Sequence, residues 1–234
     1  TKAVVLTQLP PKIPTRHVVT MSPKQARAYA DIESGLVTRL ADDSIMIARN
    51  DLVAQTRLLQ FSSGYMEQNV DGSFTMCEPS PKIDALVEII EDSGGKQIVV
   101  AAEHKQLINL AAARLAKHRI KHCLITGDVT QWEREQNLRD FQDGKVQVML
   151  FTLKAGGTGL TMTAADTIVF LQRSWSMIDN KQAEDRVHRI GSEKHESIQV
   201  IDIITEGTVE EVQVERLWEK AERLEEINRD RARL

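Results

Sequence analysis

Two arginines near residue 190 are the first feature of this sequence that could do chemistry. Arg186 and Arg189 lie three positions apart in the stretch QAEDRVHRIG, residues 182–191. If this stretch is helical, both guanidinium groups can converge on one anion, and their planar geometry suits phosphate oxygens. The alternative is that the two arginines form surface salt bridges with nearby carboxylates, namely Glu184, Asp185 and Glu193.

A glycine-rich stretch is the second candidate. The sequence TLKAGGTGL, residues 152–160, holds Gly156, Gly157 and Gly159 directly after an apolar run of strand length. Glycines allow the backbone to approach a phosphate or a ribose closely and to present N–H groups to it. A plain turn after a strand would have the same composition, so this stretch does not indicate a ligand by itself.

The sequence lacks the parts that would complete a nucleotide site. A P-loop needs the pattern G-x-x-x-x-G-K-[ST]. The closest stretch, SGGKQ at residues 93–97, has Ile90 in place of the first glycine and Gln97 in place of Ser or Thr. No Asp-Glu dipeptide occurs either, so an Asp-Glu-x-His magnesium motif is missing. We therefore expect the chain to touch a nucleotide's phosphates without binding the metal.

Composition narrows the class of protein. The 234 residues are 41% hydrophobic and 27% charged, with a net charge of −4, so binding of nucleic acid would require a local basic patch. Cys77 and Cys123 lie far apart, which argues against a zinc site or a disulfide framework and favours the cytoplasm. No apolar run is long enough to span a bilayer. Because the chain ends inside a charged helical pattern, we expect a piece of a longer protein.

The elements that must position these residues are predicted from an alternating pattern in the second half of the chain. Five apolar runs of strand length are separated by helix-like stretches. Runs that are apolar on both faces indicate a parallel sheet covered by helices on both sides, an α/β fold. In such sheets ligands bind at the loops that follow the strands. The five runs are residues 97–102, 122–126, 146–151, 166–171 and 198–204.

The flanking segments suggest three parts. Residues 1–81 read as an extended arm, then helices opened by Ser22 and Pro23 with Gln25 closing a capping box, then a small hairpin insertion with its turn at residues 71–72. Residues 82–207 form the main α/β domain. Residues 208–234 form an amphipathic helix.

Several stretches, in order along the chain, resemble Swi/Snf-type DNA-dependent ATPases, a branch of superfamily-two helicases. AGGTGLTMTAADTIVF and QAEDRVHRIG resemble motifs V and VI of that family. PKIDALVEII, QIVVAAEHKQL and ITGDVTQWEREQNLRDFQ resemble the segments before motif V, and GTVEEVQVERLWEKAERL resembles the closing brace helix. The resemblance covers nearly the whole chain. It implies the second of two RecA-like lobes, with an N-terminal helical extension and a C-terminal brace helix.

The resemblance also implies an ATP site shared between two lobes. In this family ATP and Mg²⁺ lie between RecA-like lobes, and the first lobe holds the P-loop and the metal-binding acids. Arg189 is then the expected arginine finger on the γ-phosphate, with Arg186 and Gln182 beside it. Gly157 and Gly159 match positions on the nucleotide side of motif V. No metal ligand is expected from this chain.

The DNA-facing side is implied in the same way. Thr152, Lys154 and Gly156 match positions whose hydroxyl, cation and N–H reach strand phosphates. His104 is a weaker candidate, because a histidine at a helix start has an ordinary structural reading. Trp175 occupies the family's tryptophan position, where it either packs in the core or stacks at DNA.

Three departures from the family pattern bear on DNA contact. Ser192 replaces the usual glutamine after HRIG, and SWSM at residues 174–177 replaces Trp-Asn-Pro. Lys154 stands where arginine is common, which keeps the charge but loses the planar fork.

The expected function is the second motor lobe of a double-stranded-DNA-stimulated ATPase and translocase, monomeric and inactive without its first lobe. The short insertion at residues 61–80 most resembles compact phage or bacterial members, hence a bacterial or phage-infected cytoplasm. One rival is a nucleic-acid-binding module without turnover. Another is a nucleotide- or methyl-donor-binding enzyme, which predicts an acidic residue where Gln172 stands.

Overall fold

A single parallel sheet organises the molecule. The computed structural model describes residues 9–42, 47–155 and 160–231. Within them six strands pair in parallel in the order β1-β8-β7-β4-β6-β5, and a separate hairpin pairs β2 with β3. The strands are β1 (Lys12–Val19), β2 (Tyr65–Gln68), β3 (Phe74–Cys77), β4 (Ile98–Ala102), β5 (His122–Ile125), β6 (Val148–Thr152), β7 (Thr167–Phe170) and β8 (Ile198–Thr205).

Helices cover both faces of this sheet, as the apolar runs predict. One core lies under α3 and α4, where Ile83 and Leu107 are fully buried. The other core lies under α5 and α6, where Phe141 and Ala183 are fully buried. The helices are α1 (Pro23–Asp42), α2 (Ile47–Ser63), α3 (Pro81–Asp92), α4 (Lys105–Lys117), α5 (Gln131–Gln142), α6 (Met177–Val187) and α7 (Val209–Arg231). The α/β prediction is confirmed.

The N-terminal arm differs from its sequence-based description. Its residues 12–19 form β1, which pairs in parallel with β8 from Lys12 opposite Ile198 to Val19 opposite Thr205. Pro14 lies within β1 and is tolerated because β1 is an edge strand. Strand β1 thus lies before the predicted boundary at residue 81 and is nevertheless part of the six-stranded sheet of the main domain.

The remaining N-terminal segments follow local sequence signals with one exception. Helix α1 begins at Pro23 after Ser22, whose hydroxyl accepts from the backbone N of Gln25 at 3.3 Å. The side chain of Gln25, however, does not close a capping box. It is buried and donates to the carbonyls of Phe61 and Ser62, both at 2.9 Å, because α2 ends against it. The hairpin turn is confirmed, with Gly72 at φ 80°.

The sheet has a switch point beside β4. The connection that leaves β4 carries α4 to one face, whereas those that leave β5 and β7 carry α5 and α6 to the other. Loops that diverge in this way leave a crevice at the carboxyl ends of the strands. The candidate residues on the loops after β4, β6 and β7 all lie along this edge.

Helix α7 packs by its first half alone. Val214 and Leu217 are buried, whereas Leu224, at the same helical spacing, is 50% exposed. The apolar face of α7 therefore extends past the point where other described residues pack against it. None of the described helices is both long and apolar enough to pass through a bilayer.

Candidate functional site

Helix α6 begins as its sequence suggests but ends before Arg189. The hydroxyl of Ser176 caps its first turn by accepting from the backbone N of Asp179 at 3.3 Å. The last helical residue is Val187, and His188 leaves the helix with φ −93° and ψ 79°. Arg186 and Arg189 therefore do not share a helical face, and the predicted i, i+3 geometry is wrong.

Arg186 reaches the carboxyl edge from within the helix. Its side chain is only 5% exposed, and its guanidinium lies over the ring of Phe151, 4.6 Å from the ring centre. Its backbone carbonyl accepts from the N–H of Met162 at 2.9 Å. Burial, and then the guanidinium of Arg134, lower the pKa of Arg186 to about 10, so the side chain stays charged at neutral pH. A positive charge is thus held at the end of β6.

Arg189 reaches the same region from the turn after α6. Its Nη1 donates to the carbonyl of Leu160 at 3.5 Å. The turn itself is fastened to Thr163. Gly191 has φ 103° and lies so close that an added Cβ would stand 3.3 Å from the Thr163 hydroxyl, and His195 Nε2 donates to the Thr163 carbonyl at 2.9 Å. Both arginines therefore meet the segment that follows the glycine stretch, by separate routes.

Two of the three carboxylates in the salt-bridge alternative have other partners. Glu184 pairs with Arg173 at 2.9 Å and with Lys12 at 2.7 Å. Glu193 accepts from the backbone N of Gly191 at 2.6 Å. Glu184 joins α6 to Arg173 and β1, and Glu193 closes a local turn, so these contacts of both carboxylates are with groups other than Arg186 and Arg189.

The glycines lie outside the described residues. Gly156, Gly157 and Gly159 fall in the gap between residues 155 and 160, so their proposed nucleotide and DNA contacts stay predictions. Gln182 is exposed on α6.

Lys154 and Thr152 differ sharply in their access to a ligand. Thr152 ends β6 and is 7% exposed, so its hydroxyl presents little surface. The side chain of Lys154 is 75% exposed, and its ammonium pairs with Glu103 at 2.8 Å. The hydrogen bond to Glu103 raises the pKa of Lys154. A phosphate that binds Lys154 must compete with this carboxylate.

His104 lies on the loop after β4, between the loops after β6 and β7 that carry Lys154 and Trp175. His104 stands at the start of α4 without capping it by its side chain, and burial lowers the pKa of its imidazole. Its Nε2 is buried and has no hydrogen-bond partner in the described part of the chain. Trp175 follows β7 and is partly buried, which leaves both its packing and its stacking interpretations open. Because β6, β4 and β7 are neighbours, the structure brings these side chains to one edge.

Gln172 has a structural role at the end of β7. Its side chain donates to the carbonyl of Leu59 at 2.9 Å and accepts from the backbone N of His104 at 3.3 Å. Gln172 is therefore an amide held by two hydrogen bonds rather than an acidic ribose ligand, which argues against the interpretation as a nucleotide- or methyl-donor-binding enzyme.

A buried ionic network beside the site was missed in the sequence. The ammonium of Lys82, at the start of α3, is fully buried and donates to Glu210 and to the carbonyls of Leu171 and Ile203, at 2.7 and 2.8 Å. Glu210 accepts in addition from the backbone N of Thr205 at 3.0 Å. This pair joins α3, β8 and α7. Charged residues normally indicate surface, so the sequence carries no signal for it.

Arg173 continues that network to α6. Its guanidinium binds Asp202 of β8 in a two-pronged contact of 2.5 and 3.1 Å and also binds Glu184 of α6. It stacks over the ring of Phe170, 3.9 Å from the ring centre. Burial opposes ionisation of Glu184, but Lys12 and Arg173 outweigh it and hold the pKa of this carboxyl below its usual range. The helix that carries Arg186 is therefore fixed by charge as well as by packing.

Comparison with known families identifies the central part of the chain. Residues 81–191 match the family model described as the helicase conserved C-terminal domain. This part of the chain, just under half of its length, is therefore similar to a helicase C-terminal domain. The matched residues begin with α3 and end with Gly191, so they include the loops after β4, β5, β6 and β7 and both arginines.

Two curated relatives that match part of this chain are much longer proteins. The chain is 38% identical over 141 residues to the mouse DNA excision repair protein ERCC-6-like, covering 58% of this chain and 11% of the relative. It is 32% identical over 149 residues to the Aspergillus oryzae chromatin-remodeling ATPase INO80, covering 63% of this chain and 10% of that protein. The chain thus spans about a tenth of these relatives. Both are eukaryotic, so they give no support to the expected phage or bacterial origin.

Solved structures agree on the fold over most of this chain. The C-terminal part of the Fun30 ATPase domain superimposes with a TM-score of 0.75 at 16% identity, covering 88% of this chain and 89% of that one. The Sulfolobus solfataricus SWI2/SNF2 ATPase core in complex with dsDNA superimposes with a TM-score of 0.71 at 23% identity, covering 90% and 44%. The RecA-like fold is confirmed.

Proposed function

We propose that this chain is the second motor lobe of a Swi/Snf-type, double-stranded-DNA-stimulated ATPase and translocase. The observation that carries the proposal is the meeting of two arginines at one place. Arg186 and Arg189 come from a helix and from the turn after it, yet both contact the segment that follows the glycine stretch. A chain of overall charge −4 holds two cations at the carboxyl edge of its sheet, where such folds bind ligands.

These residues fit the phosphates of a nucleotide. Guanidinium groups bind phosphate oxygens in two-pronged fashion and keep their charge when buried. In the proposal ATP supplies the phosphoryl group that is transferred to water. Arg189 lies in the turn after α6, on the partly exposed side of the edge, and acts as the finger. Arg186 and Gln182 hold and orient the phosphates beside it, with Gly157 and Gly159 on the same side.

The partners follow from the same arrangement. The curated relative INO80 is named an ATPase, and the Sulfolobus neighbour is described in complex with dsDNA. No group of three or more His, Cys, Asp or Glu side chains suited to a metal occurs among the described residues. In the proposal a first RecA-like lobe supplies the P-loop and the ligands of Mg²⁺. A binding module without turnover is not favoured, because it gives Arg189 no task.

The isolated chain should not hydrolyse ATP. We expect residues 1–234 to show no DNA-stimulated turnover, because the sequence contains no P-loop to hold the β-phosphate. The longer protein that contains both lobes should turn over ATP and respond to duplex DNA. Phosphate release measured on both preparations at equal concentration checks this. Turnover by the isolated chain that disappears in Arg189→Ala would contradict the division of the site between two lobes.

Binding of duplex DNA should depend on Lys154. We expect Lys154→Ala to weaken binding and to reduce the slope of log affinity against log salt by about 1, because one phosphate contact is lost. Thr152→Ala should add little, since Thr152 is buried. Fluorescence anisotropy on random-sequence duplexes at several salt concentrations gives both quantities.

Lys96→Ala is the matched control for that measurement. Lys96 is also an exposed lysine paired with a carboxylate, Asp166, at 3.0 Å. It precedes β4 rather than following it, so it lies at the opposite edge of the sheet. Equal effects of the two substitutions would mean that the DNA-facing edge is placed wrongly.

A further inference from the structure

Arg134 is held rigidly at the carboxyl edge by the start of α5. The hydroxyl of Thr130 caps the helix by accepting from the backbone N of Glu133, whose carboxylate accepts in return from the backbone N of Thr130. The next residue is Arg134, and its backbone N donates to the Thr130 carbonyl at 2.9 Å. This capping box fixes where Arg134 leaves the helix.

The guanidinium of Arg134 lies in an unfavourable place for a cation. It is partly buried, and its Nε is shielded from solvent without an acceptor among the described residues. It also projects from the first turn of a helix, where the backbone dipole favours negative charge. A buried donor without a partner costs free energy that an exposed arginine would avoid by turning to water.

A second guanidinium adds to that cost. Strand β5 pairs with β6 so that Ile125 lies opposite Phe151, the residue whose ring carries the guanidinium of Arg186. Arg134 follows β5, the neighbour of β6, so both arginines lie at the carboxyl ends of adjacent strands, and after burial itself the charge of Arg134 contributes to lowering the pKa of Arg186. Two like charges in a region of low dielectric repel each other. An anion beside Arg134 would accept from its Nε–H, complement the helix dipole and offset the repulsion between the two guanidinium groups.

We propose that Arg134 binds a phosphate group of the nucleotide together with Arg186. The proposal deepens the proposed function and rests on it, since it assigns a third arginine to the same phosphate site. The residue comes from α5 rather than from α6 or its turn. The phosphate would therefore bridge residues of two helices, α5 and α6.

The test is thermal unfolding of the 1–234 chain with inorganic tripolyphosphate as the probe and sodium chloride at equal ionic strength as the reference. We expect tripolyphosphate to raise the melting temperature. Arg134→Met should raise the melting temperature without the anion, because the repulsion is relieved, and should weaken the apparent affinity for tripolyphosphate roughly tenfold or more. Arg134→Lys should keep a reduced response, since the charge remains without the fork.

Arg139→Met is the matched control. Arg139 lies on the same helix, five residues further on, with a 66% exposed side chain that pairs with Glu135. This variant should respond to tripolyphosphate as the unchanged chain does.

Three results would overturn the inference. One is a chain that tripolyphosphate does not stabilise. Another is an Arg134→Met variant that has a lower melting temperature than the unchanged chain and is stabilised by tripolyphosphate to the same extent. This result would mean that Arg134 stabilises the fold and does not bind phosphate. The third is a response to duplex DNA, and not to tripolyphosphate, that depends on Arg134. The proposed function would survive the second of these if Arg186→Met loses the response, and it is judged separately by the turnover of Arg189→Ala.

Discussion

Replacing Arg189 by alanine in the two-lobed protein should lower kcat for ATP by roughly 10³ or more, about 4 kcal/mol in activation free energy. An arginine finger stabilises the charge that spreads over the phosphoryl group during transfer, so its loss acts on the transition state. Binding of ATP in the ground state should change far less, because the first lobe holds most of the nucleotide. Steady-state hydrolysis with saturating duplex DNA, together with nucleotide affinity on the same preparation, measures both effects.

Two variants sharpen that experiment. Arg189→Lys should restore little activity, because a point charge lacks the planar fork. Arg139→Ala removes an exposed arginine elsewhere and should leave kcat unchanged. A surface salt bridge at Arg189 predicts near-normal turnover and a stability change under about 1 kcal/mol. Normal kcat in Arg189→Ala would therefore refute the phosphate role of this residue.

The sequence predicts the sheet well because its signal is local. Each central strand is a short apolar run bounded by turn residues, and β4 and β6 are buried at every position. Capping signals are local too, and Thr130 with Glu133 forms the capping box that their spacing predicts. Such patterns depend only on residues a few positions apart, so they can be recognised in the sequence.

The geometry of the arginines could not be predicted in this way. His188 Nε2 donates to the carbonyl of Pro10, 178 positions away, at 2.8 Å, and Gly191 turns against Thr163. These distant contacts accompany the end of α6 at Val187, two residues short of Arg189. The spacing predicts that the two arginines share one face of a helix, whereas in the structure they reach the same segment from a helix and from the turn after it. Similarly, the pairing of β1 with β8 depends on a partner almost two hundred residues later.

Among the substitutions proposed for this chain, removal of the charge of Glu210 should lower the free energy of unfolding most. Glu210→Gln keeps an acceptor for the Thr205 N–H but removes the carboxylate paired with the buried ammonium of Lys82. Breaking a buried pair from one side costs about 3–5 kcal/mol. For a chain of this size that corresponds to a melting temperature roughly 6–20 °C lower. Asp128→Asn, which breaks the exposed ion pair with Lys105, is the control and should shift the transition little.

The pH dependence of Glu210→Gln separates charge from packing. Burial already lowers the pKa of Lys82 from its ordinary value of 10.5, and without Glu210 nothing opposes that burial as strongly. The unfolded chain then binds a proton at Lys82 that the folded chain resists, so the stability of the variant should rise with pH as 10.5 is approached. Adding Lys82→Met removes the buried charge, and the double variant should lose this pH dependence and melt above Glu210→Gln. Denaturant unfolding between pH 7 and 10 measures it. If the free energy of unfolding of Glu210→Gln is lower than that of the unchanged chain by the same amount at every pH, then lost packing, rather than the unpaired ammonium of Lys82, weakens the contact between α3 and α7.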